Sequence, residues 1–461
     1  MTTNIMIVGG GYAGLYTAWR LEKLLRPREA ELTLVDPRPY MTYQPFLPEV
    51  VSGAIEPRHA VVSLRRHLRR TKLVAGAVSS IDHAHRQLSV TTDDGHRLSL
   101  AYDVLVITAG AVTRAFPVPG LAEQAVGMKT IEEAVAIRDR ILTSFDRAAT
   151  LPPGAERSRL LTVVFVGGGF SGVEGFGETL SLASELLTYY PELQAEELSV
   201  HLVEARDRIL PEVSEGPGRW VVEHLRSRGA QVHLQTQVLS MSDGHVRLSD
   251  GTELAAGLIV WTAGNAANPM LARSSDLPVD DRGFVRTRAD LRVGTESEIV
   301  PDAWAAGDDA AVPDLVLGGS AQTVPNAQHA VRQAKTLAAN IVATLRGRQP
   351  KPYRHRSLGV VATLGRGHGL FQYHRLVVKG WLAWAMHRGY HLLAVPSWER
   401  KLRVLLDWLA ALAGRRDVSS LAATAAPRAA FTQAASTVAL STDERDGRDD
   451  EAPVDELTVA A

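Results

Sequence analysis

The sequence predicts an α/β protein in which one strand–turn–helix–strand unit occurs twice. The first copy covers residues 4–36, where the apolar segment IMIV leads into the turn GGGYAG, a helical pattern follows, and the strand LTLV ends at Asp36. The second copy begins near residue 160, where LTVVFVGGGFSGVE precedes SVHLVEARDRIL and its acidic Glu204. With 461 residues, 45% of them hydrophobic, the chain is long enough for about three domains.

Composition excludes several classes of protein. Fifty basic against 51 acidic residues leave no global positive field that would hold nucleic acid or an anionic membrane. The absence of cysteine excludes disulfide frameworks, thiolate zinc sites, iron–sulfur clusters and redox dithiols, so electron transfer would need a bound organic cofactor. The sequence shows no signal peptide, and we therefore expect a cytoplasmic chain. It also has no apolar run of about eighteen residues, so we expect that the chain does not cross a membrane.

The segment after each unit repeats as well. Residues 70–110 alternate apolar and polar side chains around a turn and then form a buried strand that ends in Thr108-Ala109-Gly110. A similar alternating stretch in the second half ends at Trp261-Thr262-Ala263-Gly264. The sequence therefore predicts a duplication of a whole unit rather than a short-period repeat.

The late part of the chain continues with a strand and a helix. A strand is predicted near residues 303–306 and is followed by the turn Gly307-Asp308-Asp309. A helix is predicted over about 325–346, with Pro325 near its first turn and Gly347 as its stop.

Two glycine triplets carry the clearest chemical signal. In each, the first glycine permits a tight strand-to-helix turn, the second lets backbone N–H groups approach a pyrophosphate, and the third allows close helix–strand packing. The triplets are Gly9, Gly11 and Gly14, and Gly167, Gly169 and Gly172. Because each follows an apolar strand, opens a helix and precedes a strand that ends in an acid, we expect two bound dinucleotide cofactors.

The acids that end these strands indicate which dinucleotides bind. Asp36 and Glu204 lie where a carboxylate accepts hydrogen bonds from an adenosine ribose and repels a 2′-phosphate. Alternatively, Asp36 and Glu204 are simply solvent-exposed acids at the ends of strands. Arg206 and Arg208 follow closely and could bind a 2′-phosphate or be surface charges, so NADH is preferred over NADPH without NADPH being excluded.

These motifs together resemble the type II NADH dehydrogenases, which are non-proton-pumping NADH:quinone oxidoreductases of the class with two dinucleotide-binding domains. The resemblance covers residues 4–413 and includes GGGYAGL, DPRPYMTYQPFLPEVVSG, VGGGFSGVEGFGE, WTAG, AAGDDA and NAQHAVRQA. It implies two Rossmann-like domains, with the NADH domain inserted in a discontinuous FAD domain. The implied divisions are 1–115 and 266–350 for FAD, 116–265 for NAD(H), 351–416 for a C-terminal amphipathic membrane-association region, and 417–461 for a disordered tail.

The resemblance also assigns residues to the cofactors. Gln44 and Pro45 would lie beside the flavin, with Tyr40, Tyr43 and Phe46 available for stacking, although such a stripe is also typical of ordinary packing. The remaining cofactor residues implied, beyond the glycine triplets and Asp36 and Glu204, are Ala109, Gly110, Gly264, Gly307 and Asp308. Gly307 and Asp308 would hold the ribityl-phosphate side of FAD, whereas Ala109 and Gly110 could instead be a simple strand exit.

Four further residues are implied in catalysis. Glu174 matches a glutamate near the point where nicotinamide meets flavin and could relay a proton, or else satisfy a helix dipole. Gln328 and Gln333 match the quinone-site motif of the late helix, together with Ala327 and Ala330. Arg332 stands where the family has a glutamine, and replaces an amide donor and acceptor with a fixed cation. Alternatively, Gln328, Arg332 and Gln333 are ordinary solvent-exposed polar residues of the helix.

The C-terminal segment 377–413 combines tryptophan, leucine and basic residues. Trp398, Leu402, Leu405, Leu406 and Leu409 recur at helical spacing, which suits a helix in the membrane interface with Trp381, Trp384 and Trp408 at headgroup level. A helix packed on the protein's own sheet or in a homodimer is the alternative. The histidines of this region fit no compact ligand set, and we expect no metal.

The resulting prediction is an FAD-dependent oxidoreductase that passes a hydride from NADH to FAD and two electrons to a membrane quinone. We expect it at the cytoplasmic face of the cell membrane, as a peripheral protein and possible homodimer without nucleic-acid partners. Two alternatives stay open: a soluble NAD(P)H-dependent flavin reductase with a protein or small-molecule acceptor, and a non-enzymatic NADH-sensing flavoprotein. The missing cysteine excludes disulfide reductases and cysteine-dependent sulfide:quinone reductases.

Overall fold

The computed structural model describes residues 2–436 apart from 296, 357 and 415. The strands are β1 (Thr3–Val8), β2 (Ala30–Asp36), β3 (Tyr40–Thr42), β4 (Val61–Ser63), β5 (Thr71–Ala75), β6 (Ala77–Asp82), β7 (Gln87–Thr91), β8 (Arg97–Ala101), β9 (Val104–Ile107), β10 (Ala111–Thr113), β11 (Ala125–Gly127), β12 (Thr162–Val166), β13 (Ser199–Val203), β14 (Gln231–His233), β15 (Val238–Ser240), β16 (His245–Leu248), β17 (Glu253–Ala255), β18 (Leu258–Trp261), β19 (Asn265–Ala267), β20 (Val285–Arg286), β21 (Arg292–Gly294), β22 (Ile299–Ala305), β23 (Ala310–Ala311), β24 (Val360–Thr363), β25 (Gly369–Tyr373) and β26 (Leu376–Lys379). The helices are α1 (Tyr12–Leu24), α2 (Leu47–Val51), α3 (Leu64–His67), α4 (Leu121–Gln124), α5 (Ile131–Thr150), α6 (Ala155–Leu160), α7 (Phe170–Leu186), α8 (Glu215–Ser227), α9 (Pro269–Arg273), α10 (Ala327–Leu345), α11 (Trp381–Ala394) and α12 (Trp398–Ala413).

Two mainly parallel sheets organise the fold. The first has the order β21-β22-β9-β1-β2-β5, with only β21 antiparallel to its neighbour. The second has the order β11-β18-β12-β13-β14 and is parallel throughout. All strands of the second sheet lie in the sequence between β9 and β22. The α/β class predicted from the two repeated units is confirmed, and the late strand β22 returns to the first sheet.

Burial explains why these segments form central strands. Every residue of β9, β12 and β18 is buried, as expected for parallel strands covered on both faces. The alternating segments predicted after each unit form small antiparallel sheets instead, β6-β7-β8 and β15-β16-β17. Each leads directly into a central strand, β9 or β18.

The late helix differs slightly from its prediction. Helix α10 begins at Ala327, and the side chain of Asn326 accepts a hydrogen bond from the His329 N–H at 2.8 Å as its N-cap. Pro325 therefore lies one residue before the cap and not in the first turn. At the other end Gly347, with φ +67°, follows the last helical turn as predicted. The helix packs against α1, which brings it to the first glycine turn.

The C-terminal region contains more than amphipathic helices. The antiparallel sheet β24-β25-β26 precedes α11 and packs against it, and α12 in turn contacts α11. Trp384 and Trp408 are buried, so they cannot lie at a membrane surface, and their predicted place there is wrong. Among the described residues, no helix is long and apolar enough to span a bilayer.

The folded unit ends slightly later than predicted. The described residues as far as Val418 cluster as one compact unit, and the Asp417 carbonyl accepts a hydrogen bond from Arg138 Nη2 at 2.7 Å. The predicted tail, 417–461, is described only as far as residue 436, and its described part contains the short 3₁₀ turn Ala422–Ala425. The prediction of disorder concerns residues that lie mostly outside the described part of the chain.

Candidate functional site

The first glycine turn joins β1 to α1 in the geometry that a pyrophosphate site requires. Gly9 has φ +96°, which favours glycine. A Cβ on Gly14 would lie 1.8 Å from the carbonyl oxygen of Gly9, so only glycine allows α1 to start this close to the strand. A Cβ on Gly11 would meet no described atom within 4 Å, because this residue faces open space at the helix N-terminus.

The second turn, between β12 and α7, repeats these features. Gly167 has φ +111°, and a Cβ on Gly172 would lie 2.0 Å from the carbonyl oxygen of Gly167. A Cβ on Gly169 would again have no described atom within 4 Å. The three glycines therefore have the same division of roles at both turns.

A threonine holds each turn from the neighbouring strand. The Thr108 hydroxyl donates to the carbonyl of Val8 at 2.9 Å, and the Thr262 hydroxyl donates to the carbonyl of Val166 at 2.9 Å. Thr108 begins the segment Thr108-Ala109-Gly110 after β9, and Thr262 begins the matching segment Thr262-Ala263-Gly264 after β18. The duplication thus extends to single side chains that position the turns.

The first strand-end acid lies beside its glycine turn. Asp36 accepts hydrogen bonds from the N–H groups of Gly10 at 2.6 Å and Arg38 at 2.7 Å. Burial raises the pKa of this carboxyl, and the two N–H groups partly oppose the rise. Asp36 is therefore fixed at the mouth of the first turn, where a ribose of a bound dinucleotide would lie.

Glu204 has the same arrangement at the second turn. It accepts hydrogen bonds from the N–H groups of Gly168 at 2.5 Å and Arg206 at 2.9 Å. The guanidinium of Arg208 donates to the Pro211 carbonyl, which ties this side chain to its own loop. Glu204 therefore lies beside the turn, where its carboxylate would repel a 2′-phosphate.

The Gly307 turn lies against the start of α1. The Gly307 N–H donates to Gln333 Oε1 at 2.8 Å, and a Cβ on Gly307, which has φ +97°, would lie 3.0 Å from the Cβ of Ala13. Asp308 follows on the wall of the cavity described below, and burial raises its pKa against the opposing effect of Lys129. The late turn predicted from the sequence therefore meets the first glycine turn in space.

Asp309 connects this turn to the exit of β9. Its carboxylate is fully buried and has no well-formed hydrogen bond among the described residues, although the N–H groups of Ala109 and Gly110 face it. Burial raises the pKa of Asp309 to about 7, and the facing N–H groups oppose the rise. The exit of β9 at Ala109 and Gly110 and the Gly307 turn thus meet at Asp309.

A cavity of about 1270 Å³ connects the two halves of the molecule. Its wall contains segments of α1, the loop after β3, the start of α7, the exit of β18, α10 and α11. Nine of the predicted site residues line it: Gln44, Pro45, Gly169, Gly172, Glu174, Gly264, Asp308, Gln328 and Arg332. The cavity is large enough for ligands that approach from both units and from the late helix.

Glu174 lies on this wall and is only 8% exposed. It accepts a hydrogen bond from the Thr363 N–H at 3.2 Å, and its Oε1 lies 3.2 Å from Nε2 of His387. Because α7 begins at Phe170, Glu174 lies beyond the first turn, and the alternative of a first-turn acid that satisfies the helix dipole does not apply.

The polar residues of α10 divide into two groups. Gln328 lines the cavity, and its Oε1 lies 2.9 Å from Nε2 of His355. Arg332 also lines it and donates to the Gln328 carbonyl at 2.8 Å. Gln333 is 1% exposed, is not among the residues that line the cavity, and donates from Nε2 to Thr323 Oγ1 at 3.1 Å. Gln333 therefore supports the Gly307 turn, and the predicted direct contact with a quinone is replaced by a positioning role.

The aromatic loop is only partly turned toward the cavity. Tyr43 lines it, and its hydroxyl lies 3.1 Å from Nδ1 of His391. Phe46 is fully buried against Trp408, and the Tyr40 hydroxyl donates to Glu132 at 2.6 Å. Tyr40 and Phe46 therefore belong to the surrounding packing.

Several cavity residues were not predicted from the sequence. Lys129, just after β11, lines the cavity and donates to Asn265 Oδ1 at 2.9 Å, and burial lowers its pKa. Tyr12 lines it with a buried hydroxyl that has no hydrogen-bond partner among the described residues. A lone lysine or tyrosine carries no motif. His387 and His391, in contrast, are spaced by four residues on α11, and this spacing could have indicated an inward helix face.

The glycine turns fit two dinucleotides. At both turns open space lies before the helix N-terminus and a carboxylate stands beside the turn; at the first turn the Tyr12 hydroxyl also lies on the cavity wall without a hydrogen-bond partner among the described residues. No group of three or more metal-ligating side chains occurs within the described residues.

Comparison with known proteins agrees with this geometry. Residues 3–334 match the model of the pyridine nucleotide-disulphide oxidoreductase family. The type II NADH:quinone oxidoreductase Ndh of Mycobacterium tuberculosis is 29% identical over 88% of this chain and 87% of its own length. The demethylphylloquinone reductase NdbB of Synechocystis is 30% identical over 88% of this chain and 95% of its own length.

A solved structure has the same fold. NDH2 from Plasmodium falciparum in complex with NADH superposes with a TM-score of 0.83 at 18% identity, and the match covers 91% of this chain and all of that one. This chain has no cysteine, so it lacks the redox dithiol that gives the wider family its name. The chain belongs to the pyridine nucleotide-disulphide oxidoreductase family and, within it, to the type II NADH:quinone oxidoreductases.

Proposed function

We propose that this protein is an FAD-dependent NADH:quinone oxidoreductase that works without proton pumping. The observation that carries the proposal is the cavity, because one continuous space reaches the second glycine turn, the Gln44 loop and the quinone-site helix α10. An NADH donor and a quinone acceptor can therefore approach a common centre. The relatives named as NADH:quinone oxidoreductases support this assignment.

The residues of each turn would hold one cofactor. Gly9, Gly11 and Gly14 would receive the pyrophosphate of FAD, and Asp36 its adenosine ribose. The Gly307 turn would receive the ribityl-phosphate side, supported from behind by Gln333. Bound FAD supplies the chemistry of the centre, since it accepts a hydride and releases two electrons.

The second turn would orient NADH. Gly169 opens the helix N-terminus for the pyrophosphate, and Glu204 accepts hydrogen bonds from the ribose. Glu174 and Gly172 line the adjoining wall, so the nicotinamide end of the cofactor would lie over the cavity. Lys129 and Gln44 also line the cavity and would provide polar contacts.

We propose that a quinone reaches the cavity along α10 and α11. Gln328 provides an amide at the wall, and Met386, Tyr390 and Ala394 of α11 line the same space. Arg332 makes this wall more polar than an amide would. A quinone would therefore approach the centre from the side of the outer helices.

We also propose that the outer face of α11 and α12 rests on the cytoplasmic side of the cell membrane. Several large apolar side chains of these helices are exposed: Trp381, Leu382, Leu393, Trp398, Leu402, Leu405, Leu406, Leu409 and Leu412. Trp398 is 84% exposed, and Arg400, Lys401 and Arg403 lie on the same helix as it does. An apolar face bordered by cations is typical of helices that lie in a membrane interface. A homodimer would cover the same face.

Anaerobic turnover tests the proposal. NADH oxidation is followed at about 340 nm with a menaquinone or ubiquinone analogue, a ferredoxin or no acceptor, each with and without anionic liposomes. The proposal expects oxidation that depends on quinone and increases with liposomes. Turnover with ferredoxin alone would favour the soluble reductase, and flavin that stays reduced with every acceptor would favour a sensor.

A further inference from the structure

A row of buried titratable side chains lies directly behind the cavity wall. Glu174 Oε1 lies 3.2 Å from Nε2 of His387, which is fully buried. The rings of His387 and His391 stand edge to face with 4.5 Å between their centroids. His391 Nδ1 then lies 3.1 Å from the Tyr43 hydroxyl.

Both ends of this row reach the cavity at different places. Glu174 lies next to the second glycine turn, on the side proposed for NADH. Tyr43 and His391 line the wall that Tyr390 and Ala394 of α11 continue, on the side proposed for the quinone. His387 connects the two ends through the protein interior, where ligands that fill the cavity would not block it.

Two other buried carboxylates near this row, Glu49 and Glu178, each have a cationic partner. Glu49 accepts a hydrogen bond from Trp408, and its Oε1 lies 3.4 Å from Nε of Arg388. Glu178 accepts a hydrogen bond from the Thr363 hydroxyl at 3.0 Å, and its Oε2 lies 3.4 Å from Nη2 of Arg416. Each of these two carboxylates therefore lies next to a guanidinium that is not part of the row.

His387 has a different environment. Neither of its ring nitrogens has a well-formed hydrogen bond among the described residues, and its Nε2 lies 3.2 Å from Oε1 of Glu174. The groups that face it are Glu174 from α7, Glu49 from α2, and Arg388 and His391 from its own helix. A buried imidazole that lies 3.2 Å from a carboxylate on the cavity wall is suited to exchange a proton with that carboxylate.

The proposed reaction needs one proton from outside the reactants. NADH, one proton and a quinone give NAD⁺ and a quinol; the hydride carries both electrons and one proton, and the second proton must come from solvent. We propose that Glu174, His387, His391 and Tyr43 carry this proton from the NADH side of the cavity to the quinone oxygen. This inference rests on the proposed function and adds the residues that deliver the proton.

The protonation states suit this path. Burial lowers the pKa of His391 well below its ordinary value, so its ring is neutral and can accept on one nitrogen and donate from the other. Burial raises the pKa of Tyr43 well above its ordinary value, so the hydroxyl keeps its proton until it donates. Between the two imidazoles the proton crosses after rotation of the His387 ring or through one water molecule.

The test compares two relay variants with a matched control in the FAD-loaded protein. His387→Gln removes the proton carrier and keeps a polar side chain, and Tyr43→Phe removes one hydroxyl without changing shape. The control is Tyr102→Phe, because His83 Nδ1 lies at the same 3.1 Å from the Tyr102 hydroxyl and neither residue lines the cavity. Stopped-flow absorbance measures flavin reduction by NADH and reoxidation by a quinone analogue separately.

We expect both relay variants to be reduced by NADH within about twofold of the parent rate, and reoxidised about 100-fold more slowly at neutral pH. Their reoxidation should fall about tenfold per unit of rising pH, because bulk protons then reach the quinone directly, whereas the parent and Tyr102→Phe stay nearly level. A loss that does not depend on pH would indicate a structural role and overturn the relay, as would parent-like reoxidation of both variants.

A measurement independent of turnover accompanies the kinetics. In protein with ¹³C-labelled histidine rings, the resonance lost in His391→Gln should stay in its neutral form as the pH falls through the ordinary histidine pKa of about 6.5. A His391 ring that titrates near pH 6.5 would contradict the relay. If quinone fails to reoxidise the parent protein itself, the proposed function fails, and the relay with it; parent reoxidation with unaffected variants overturns the relay alone.

Discussion

Alanine at Gly169 should separate NADH binding from folding. The backbone of Gly169 has φ −72° and ψ 177°, which alanine adopts without strain, and a Cβ there would meet no described atom within 4 Å. The same methyl group would occupy the approach to the helix N-terminus, where backbone N–H groups would bind the pyrophosphate. The loss of one hydrogen bond to a charged group costs about 1.5–3 kcal/mol, so we expect the Kd for NADH to rise by about 10- to 150-fold.

Gly172→Ala provides the contrasting result. Its Cβ would lie 2.0 Å from the Gly167 carbonyl and 2.6 Å from the Thr262 hydroxyl, so α7 would have to move away from β12. Such overpacking lowers the free energy of unfolding by about 1–3 kcal/mol.

Isothermal titration with NADH, flavin content and thermal unfolding distinguish the two variants. Gly169→Ala should keep its flavin and its unfolding temperature while losing NADH affinity. Parent-like NADH affinity in Gly169→Ala would refute the assignment of the second turn, and loss of flavin in the same variant would mean that the two turns are not independent.

Three further changes test other parts of the site. Arg332→Gln restores an amide at the cavity wall. It should lower the KM for quinone about fivefold, because one net hydrogen bond contributes about 1 kcal/mol. Flavin reduction by NADH should stay unchanged. Leu406→Asp should reduce co-sedimentation with anionic liposomes at least about tenfold, because burial of a leucine contributes about 1.5–3 kcal/mol; unchanged sedimentation would exclude this face as the membrane contact. Asp309 has a pKa of about 7 in the folded protein against an ordinary 3.8, so the folded apoprotein binds the proton more tightly than the unfolded chain does. The free energy of unfolding should therefore fall by up to about 4 kcal/mol as the pH rises from 4 to 7. Asp309→Asn should remove this decline, and identical pH profiles of denaturant unfolding would contradict the buried-carboxyl interpretation.

The sequence was most informative where chemistry leaves few alternatives. Gly14 and Gly172 could be identified because no other residue fits within about 2 Å of a carbonyl oxygen, and Asp36 and Glu204 because each ends a strand at a fixed interval from its turn. These constraints are local, so they are visible in a linear pattern.

Long-range packing set the limits of prediction. The sequence led us to expect only that the histidines of this region do not bind a metal. Nothing in the sequence shows that the inner face of α11 meets Glu174 across more than 200 residues of chain. Trp384 and Trp408 were placed at a membrane for the same reason, although they pack around Arg388 inside the fold. The role of Gln333 was likewise hidden, because its partner at Gly307 precedes it by 26 residues and belongs to another element.

Double-mixing stopped-flow absorbance tests the central claim most directly. The FAD-loaded protein is reduced anaerobically with one equivalent of NADH and then mixed with a menaquinone or ubiquinone analogue on liposomes. The account predicts rapid loss of the oxidised flavin band followed by rapid, quinone-dependent recovery that is faster with liposomes than without them. Flavin that NADH does not bleach, or that stays reduced in the presence of quinone, would contradict it.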